Sequence, residues 1–420
     1  MYFYSAPFII IKEKDYYRVL DQLGGRYKLD TNTLLTALSV IGKKWNPKIL
    51  DSLKTKLGIK DADKRLSSLV ENAFLLTSKH RRKDPFNYKK VKERIINNNS
   101  KEKDILNLGT LTLASIKYCP YSCAGCYVNQ TNEENSSEIS LDKLKLTIED
   151  AIIMGVNHLT LSGGEITSSQ KSAERTAFLS KFARSKGLDS ITVVTTGYQL
   201  ENFLDFFMDA GVTEFQISID GFENYNDNYK NANGATERSF RAIEICKEKN
   251  VNYMTNTVVS KRNIHFISNF VTELVNKGVS RVRLSKIITN HPNLKIDAEK
   301  SKLLEGMINK LKEKHKININ GPFGNPYIID DYINCVAGKL YAHIDYSGSV
   351  LPCAFMPDRI VGNIDYERLI NIWNLNNPIL KQLSEGSKLS SKCNKCAKRY
   401  HCFGNCVKDY EFKRGNCKNE

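Results

Sequence analysis

The sequence predicts an α/β protein with a parallel sheet at its centre and a smaller domain on each side. From residue 111 to about residue 320, strand-like and helix-like segments alternate six times, which is the pattern of a parallel sheet. A hairpin pattern and three helical patterns precede this region, and a cysteine-rich stretch follows it. We therefore divide the chain into an N-terminal domain, a linker, a central domain and a C-terminal domain, at residues 1–79, 80–106, 107–326 and 327–420.

The composition of the 420-residue chain is that of a globular protein, and no apolar run approaches the roughly 18 residues of a membrane-spanning helix. The first residues lack the basic and apolar regions of a signal peptide, so we expect a cytoplasmic protein without a membrane partner. In a reducing compartment, metal ligation explains 11 cysteines better than disulfides do. A formal charge of +16 would suit nucleic acid, but the lysines are dispersed rather than striped, which argues against that partner.

The N-terminal domain begins with a short antiparallel pattern. Strands are predicted at residues 8–11, 16–20 and 26–29, with helices at about 31–41, 49–57 and 62–71. This order resembles the winged-helix-like leader-recognition domain of enzymes that modify ribosomally made peptides. In that family the leader peptide adds as a strand to a sheet edge, and the resemblance implies an edge at Arg26, Tyr27 and Lys28. A DNA-binding winged helix and an accessory domain without a ligand remain alternatives.

The linker is dense in Lys, Arg and Asn and shows little apolar periodicity. We expect one helix in it, at residues 88–96.

The central domain places its first cysteines where ligands bind. Its strands are predicted at residues 111–116, 158–161, 191–195, 214–219, 253–259 and 282–287. Ligand sites of parallel sheets lie in the loops that follow the carboxyl ends of the strands. Cys119, Cys123 and Cys126 follow the first strand. Three thiolates can hold a four-iron cluster with one iron open to another ligand, and a zinc knuckle is the alternative. Cys246 belongs to no motif and is predicted to be a small buried side chain in a helix.

Gly163, Gly164 and Glu165 follow the second strand. With the cysteine triplet, they make residues 107–290 resemble the radical S-adenosylmethionine (AdoMet or SAM) enzymes. The resemblance implies a partial (β/α)6 barrel similar to a TIM barrel. It also implies that the three cysteines bind a [4Fe-4S] cluster and act in catalysis, while Gly163, Gly164 and Glu165 bind the methionine end of AdoMet.

Further AdoMet contacts are implied after the third and fourth strands. Thr196 stands where the family usually has Asn, and Ser218 and Asp220 match a ribose-contacting motif. Lys230 stands where Arg is frequent, and Lys offers a point charge instead of a bidentate fork. Gly125 occupies a position that is often aromatic, and Tyr127 is our candidate for that contact.

Seven cysteines lie beyond residue 334 in a regular spacing. They resemble the SPASM extension of radical AdoMet enzymes, which implies two auxiliary [4Fe-4S] clusters and three clusters in all; a zinc ribbon is the alternative. The pattern implies one cluster with four ligands, at Cys393, Cys396, Cys402 and Cys417. The other has only three cysteines, at Cys335, Cys353 and Cys406, so its fourth ligand is open, is Asp330 or Asp331, or is a substrate thiolate.

The resemblance implies an enzyme that forms a 5′-deoxyadenosyl radical and uses it to remove a hydrogen atom from a precursor peptide. We predict an intrapeptide crosslink, preferably a cysteine thioether of the sactipeptide type, because an open auxiliary iron could hold the substrate thiolate. Carbon–carbon crosslinking is the main alternative. A formylglycine-forming sulfatase maturase, an RNA-modifying radical enzyme and a zinc-bound transcription factor are more remote. Flavodoxin or ferredoxin is the expected electron donor.

Overall fold

The structure is a computed structural model that describes residues 1–5, 8–21, 25–79, 84–126, 138–289, 291–320 and 335–385. The first 79 residues contain β1 (Tyr2–Tyr4), β2 (Phe8–Lys12), β3 (Tyr17–Asp21), β4 (Arg26–Leu29), α1 (Thr31–Val40), α2 (Lys48–Leu57), α3 (Ala62–Glu71) and β5 (Leu76–Ser78). Helix α4 (Tyr88–Ile96) follows in the linker. The three predicted strands form an antiparallel sheet of order β2-β3-β4. The small β1-β5 pair was not predicted.

The central domain alternates strands and helices as predicted, with one short strand at residues 318–320 beyond the six that the sequence predicted. Its strands are β6 (Thr110–Ile116), β7 (His158–Gly163), β8 (Ile191–Thr195), β9 (Glu214–Ser218), β10 (Tyr253–Val259), β11 (Arg281–Lys286) and β12 (Asn318–Asn320). Its helices are α5 (Leu141–Ile153), α6 (Gln170–Ser185), α7 (Leu200–Asp209), α8 (Glu223–Lys230), α9 (Ala235–Glu248), α10 (Ile267–Asn276) and α11 (Ala298–His315). Strands β6 to β12 are parallel and pair in chain order. Every residue of β6 is buried, as expected for a strand covered on both faces.

The C-terminal region extends this same sheet. It contributes β13 (Tyr341–Ile344), β14 (Ser349–Leu351), β15 (Gly362–Asn363), α12 (Leu369–Ile372) and α13 (Pro378–Glu385). Strand β13 pairs in parallel with β6, and β14 and β15 continue the sheet in antiparallel fashion. The strand that precedes the first cysteines therefore lies beside the strand that follows Cys335.

The end of the linker connects the N-terminal sheet to the C-terminal region. Residues 103–107 run along β2, where the Asn107 side chain accepts from Ile10 N at 2.8 Å and donates to Phe8 O at 2.8 Å. On the other side, Ile105 N donates to Trp373 O at 3.2 Å. This segment of the predicted linker is thus packed on both sides. Helix α4 lies where the sequence predicted it and buries Val91 and Ile95.

One hydrophobic core joins these parts. The same cluster of buried side chains contains Phe8 of β2, Phe86 and Ile105 of the linker, Leu111 of β6 and Trp373 near α12. The N-terminal domain therefore shares its core with the remainder of the described chain. In the part of the chain that the structure describes, no helix has the length and apolarity to cross a membrane.

A buried ion pair connects the C-terminal region to the central domain. Asp150 of α5 has a side chain only 1% exposed and accepts two hydrogen bonds from Arg368, at 2.6 and 2.9 Å. It also accepts from Ile370 N at 3.3 Å. The half-exposed Arg368 side chain thus neutralises a charge that water does not reach.

Replacing Arg368 by alanine is expected to lower the free energy of unfolding by about 2 kcal/mol, because Asp150 is left charged and buried without its cation. Arg241→Ala is the matched control, since its ion pairs within the described residues are with the exposed Glu244 and Glu248, at 3.8 and 3.6 Å. That control should change the free energy by less than about 0.5 kcal/mol. Urea unfolding of both variants measures the difference, and equal losses would contradict this role of Arg368.

Candidate active site

The loop after β6 holds the first three cysteines at the carboxyl edge of the sheet. Cys119 is buried, Cys123 is partly buried and Cys126 is exposed. The backbone between them is fixed to the end of α8, because Ser122 N donates to Lys230 O at 3.1 Å and Ala124 N donates to Tyr229 O at 2.9 Å. Sequence reasoning placed these cysteines correctly at a strand end, but it did not foresee that α8 holds their loop.

The three thiols are close enough to influence one another's ionisation. Burial raises the pKa of Cys119 far above its usual range, and the charges of Glu165, Cys123 and Cys126 act in the same direction. Burial raises the pKa of Cys123 to about 12, with Lys230 opposing the shift. Without a metal these two thiols are therefore protonated at neutral pH. Binding of iron as thiolates must release their protons.

The donor set of this loop fits an iron–sulfur cluster. It presents three soft sulfur ligands, the type that such clusters use. Within the described part of the chain, no three Cys, His, Asp or Glu side chains converge on a single metal-ion position. A cubane does not require such convergence, since it takes one thiolate at each iron.

Gly163 and Gly164 bring the second loop against the cysteine loop. A β-carbon on Gly163 would lie 2.2 Å from Ile116 O, and one on Gly164 would lie 2.0 Å from Tyr118 O. Gly163 also has a φ of +139°, which favours glycine. Gly164 N donates to Ile116 O at 2.7 Å, and Glu165 N donates to Tyr118 O at 2.8 Å. Only residues without a side chain permit this approach.

The Glu165 carboxylate lies in a cradle of threonines. Its side chain is fully buried, and Oε1 accepts from Thr195 Oγ1 at 2.5 Å and from Thr167 Oγ1 at 2.7 Å. Its Oε2 accepts from Thr196 N at 2.7 Å and from Thr196 Oγ1 at 2.6 Å. The hydroxyl of Thr196 thus contributes a donor at the position where Asn was expected. Thr167 and Thr195 were missed, although both stand within two residues of a predicted site residue.

The fourth-strand site groups also come together. Lys230 is 1% exposed, and its Nζ donates to Ser218 O at 2.6 Å. Burial raises the pKa of Asp220, while the Lys230 charge opposes the rise. Asp220 Oδ1 accepts from Val258 N at 2.8 Å. Ser239 of α9, which sequence reasoning missed, donates to Ser218 O at 3.1 Å and to Thr196 O at 2.8 Å, so it joins two strand ends.

Two of the seven C-terminal cysteines are described, and both are partly buried: Cys335 and Cys353. Burial lowers the pKa of the Lys339 ammonium to about 8, and the nearby Cys335 opposes that shift. Tyr127 lies outside the described residues. So do the remaining predicted ligands, which are Asp330, Asp331, Cys393, Cys396, Cys402, Cys406 and Cys417. The predicted buried position of Cys246, in α9, is confirmed.

Comparison with protein families decides the class of this site. The model of the Radical SAM superfamily matches residues 113–265, which include the cysteine loop, the Gly-Gly-Glu loop and Lys230. The model of the SPASM iron-sulfur cluster-binding domain matches residues 335–397. The chain is a radical SAM enzyme with a SPASM domain. A radical SAM enzyme uses AdoMet and a [4Fe-4S] cluster, and the SPASM domain binds additional iron–sulfur clusters.

Several characterised proteins share this radical SAM architecture. The AdoMet-dependent heme synthase of Methanosarcina barkeri is 24% identical over 313 residues, covering 68% of this chain and 87% of that protein. The PqqA peptide cyclase of Bradyrhizobium diazoefficiens is 22% identical over 304 residues, covering 69% and 78%. The crystal structure of Streptococcus suis SuiB bound to S-adenosylmethionine superposes with a TM-score of 0.65 at 15% identity, covering 98% of this chain and 97% of SuiB. The α/β fold with its parallel sheet is thereby confirmed.

Proposed function

We propose that this radical SAM enzyme is a peptide maturase that forms a crosslink within a ribosomal precursor peptide, preferably a thioether at a cysteine. The observation that supports this proposal best is the extent of the likeness to SuiB, which covers 98% of the chain and so includes the N-terminal domain. SuiB has been solved bound to its precursor peptide SuiA.

The proposed leader-binding edge is β4. Strand β2 is covered by residues 103–107 through backbone and Asn107 hydrogen bonds, whereas β4 is the outer strand at the opposite side of the sheet. An extended peptide can add to such an edge through main-chain hydrogen bonds. Along β4, Arg26 and Lys28 are exposed, while Tyr27 packs its ring on Phe74 at 4.8 Å. This alternation favours a leader with acidic side chains opposite the two cations.

The chemistry of the peptide follows from the proposed product. When bound, the first cluster would supply one electron to AdoMet, which then splits into methionine and the 5′-deoxyadenosyl radical. That radical is the species that removes a hydrogen atom from the peptide. Forming a carbon–sulfur bond then breaks one C–H and one S–H bond, so the peptide loses two hydrogens. One leaves as the hydrogen atom that converts the 5′-deoxyadenosyl radical to 5′-deoxyadenosine. The other leaves as a proton, and the remaining electron would pass to an auxiliary cluster. The electron donor for the first cluster is proposed to be flavodoxin or ferredoxin.

Mass spectrometry distinguishes the candidate products. Co-expression with short cysteine-containing peptides encoded beside the gene should yield a peptide lighter by two hydrogens for any single crosslink. A thioether also removes one alkylatable thiol, whereas a carbon–carbon crosslink leaves every thiol reactive. An unchanged peptide mass, together with formation of heme from an added porphyrin precursor, would instead favour the reaction that the name of the heme synthase relative states.

Reversing the charges of β4 tests the leader site. The double variant Arg26→Glu, Lys28→Glu should weaken binding of the precursor peptide at least about tenfold, or about 1.4 kcal/mol, because acidic side chains would face like charges. Cleavage of AdoMet without peptide should not change. Lys48→Glu with Lys60→Glu is the matched control, since both lysines are exposed outside β4 and the net charge changes equally. Fluorescence anisotropy of a labelled leader measures the affinities, and equal weakening in both variants would refute the edge.

Point variants suit this test better than removal of the domain. Because Phe8 and its neighbours share one core with the linker and the barrel, deleting residues 1–79 would expose that core. A deletion would therefore confuse loss of leader binding with loss of folding.

A further inference from the structure

Gly125 leaves room for a side chain that reaches the cysteine loop from another element. A β-carbon on Gly125 would lie 2.4 Å from the hydroxyl oxygen of Tyr229 and 2.8 Å from Cδ1 of Ile287. Tyr229 is in the last turn of α8, whose backbone accepts from Ala124 N. The phenol ring therefore occupies the space beside the residue that separates Cys126 from Ala124.

The Tyr229 side chain packs against the cysteine loop. The residue is 7% exposed and forms a small apolar cluster with Ile287, against which Cys123 packs. The ring is stacked on Tyr225, with centroids 5.8 Å apart and an interplanar angle of 13°. The hydroxyl of Tyr225 lies 3.2 Å from Ser260 Oγ.

The Tyr229 hydroxyl lies beside the residue between Ala124 and Cys126, since its oxygen would be 2.4 Å from a β-carbon on Gly125. A phenol hydroxyl can donate one hydrogen bond. Sulfur ligands and the sulfides of a cluster accept hydrogen bonds, and such bonds raise the reduction potential of a cluster.

We propose that Tyr229 is a positioning residue of the first iron–sulfur cluster, with its ring filling the space left by Gly125 and its hydroxyl donating a hydrogen bond to a cluster sulfur. The Tyr229 side chain, supplied by α8, thereby occupies the space that a side chain at position 125 would fill. This inference depends on the radical SAM site and not on the identity of the peptide. It would survive a failure of the proposed crosslinking reaction.

The reduction potential tests the hydroxyl. In the reconstituted full-length enzyme, the first cluster is identified as the one whose EPR spectrum changes when AdoMet is added. Tyr229→Phe should keep its iron and show a more negative midpoint potential for that signal. Tyr225→Phe, which removes a hydroxyl from the neighbouring stacked ring, should titrate as the wild type does. A Tyr229→Phe midpoint equal to that of the wild type would overturn the proposed hydrogen bond.

A pair of variants tests the packing independently of the potential. Gly125→Ala should lose most of the AdoMet-responsive EPR signal and the corresponding iron, because its methyl group collides with the Tyr229 oxygen. Adding Tyr229→Phe should restore both, since the next atom of that ring is 3.4 Å from the new β-carbon and the Cδ1 methyl of Ile287, at 2.8 Å, is the end of a side chain that can rotate away. If Gly125→Ala retains its full signal and iron, or if the double variant recovers neither, the proposed packing is wrong.

Discussion

Replacing Cys119, Cys123 and Cys126 by alanine is expected to abolish formation of 5′-deoxyadenosine from AdoMet. These three thiols lie in one loop of the central domain, directly after β6 at the carboxyl edge of the sheet. The neighbouring side chains at the ends of β7, β8 and α8 cannot compensate, because they are carboxylate, hydroxyl and ammonium groups. The expected loss is complete and does not depend on the peptide.

Two measurements separate this loss from general unfolding. Iron analysis after anaerobic reconstitution should show that the triple variant loses only the first cluster and retains the iron of the SPASM domain. Cys246→Ala is the matched control, because it removes a buried thiol from α9 without touching the loop. That control should cleave AdoMet at nearly the wild-type rate. Continued AdoMet cleavage by the triple variant would contradict the site.

The central fold could be predicted because its signals are local. Strands β8 and β10 begin and end at the predicted residues, since runs of apolar and β-branched side chains bounded by turns define a buried strand. The Gly-Gly-Glu and cysteine motifs were placed correctly for the same reason. Each lies directly after such a strand, and parallel strands bring their carboxyl ends to one edge.

The features that were missed depend on contacts between distant segments. The pairing of β13 with β6 joins residues more than 200 positions apart, and no local pattern records it. Residues 103–106 belong to the predicted linker, but Ile105 and Leu106 are buried between two parts of the fold. Glycine at position 125 could be recognised as unusual, whereas the residue that compensates for it, Tyr229, is visible only in three dimensions.

Replacing Gly164 by alanine is expected to reduce AdoMet cleavage by about a hundredfold or more. The new β-carbon would lie 2.0 Å from the carbonyl oxygen of Tyr118 and 2.5 Å from its carbon. These are backbone atoms, which cannot rotate away as a side chain does. The two loops must separate, which lengthens the bonds Gly164 N to Ile116 O and Glu165 N to Tyr118 O. A misplacement of about 1 Å between groups that position a substrate can cost roughly a hundredfold in rate.

Gly306→Ala is the matched control for this variant. Gly306 lies within α11, where a β-carbon would meet no atom within 4 Å. Alanine there should stabilise the chain by about 0.5–1 kcal/mol and leave AdoMet cleavage unchanged. Chromatographic measurement of 5′-deoxyadenosine gives the rates, and urea unfolding gives the stabilities. Equal rates of AdoMet cleavage by Gly164→Ala and Gly306→Ala would contradict this role of Gly164. They would mean that close contact between the two loops is not needed to hold the cofactor or to place Glu165 among its threonines.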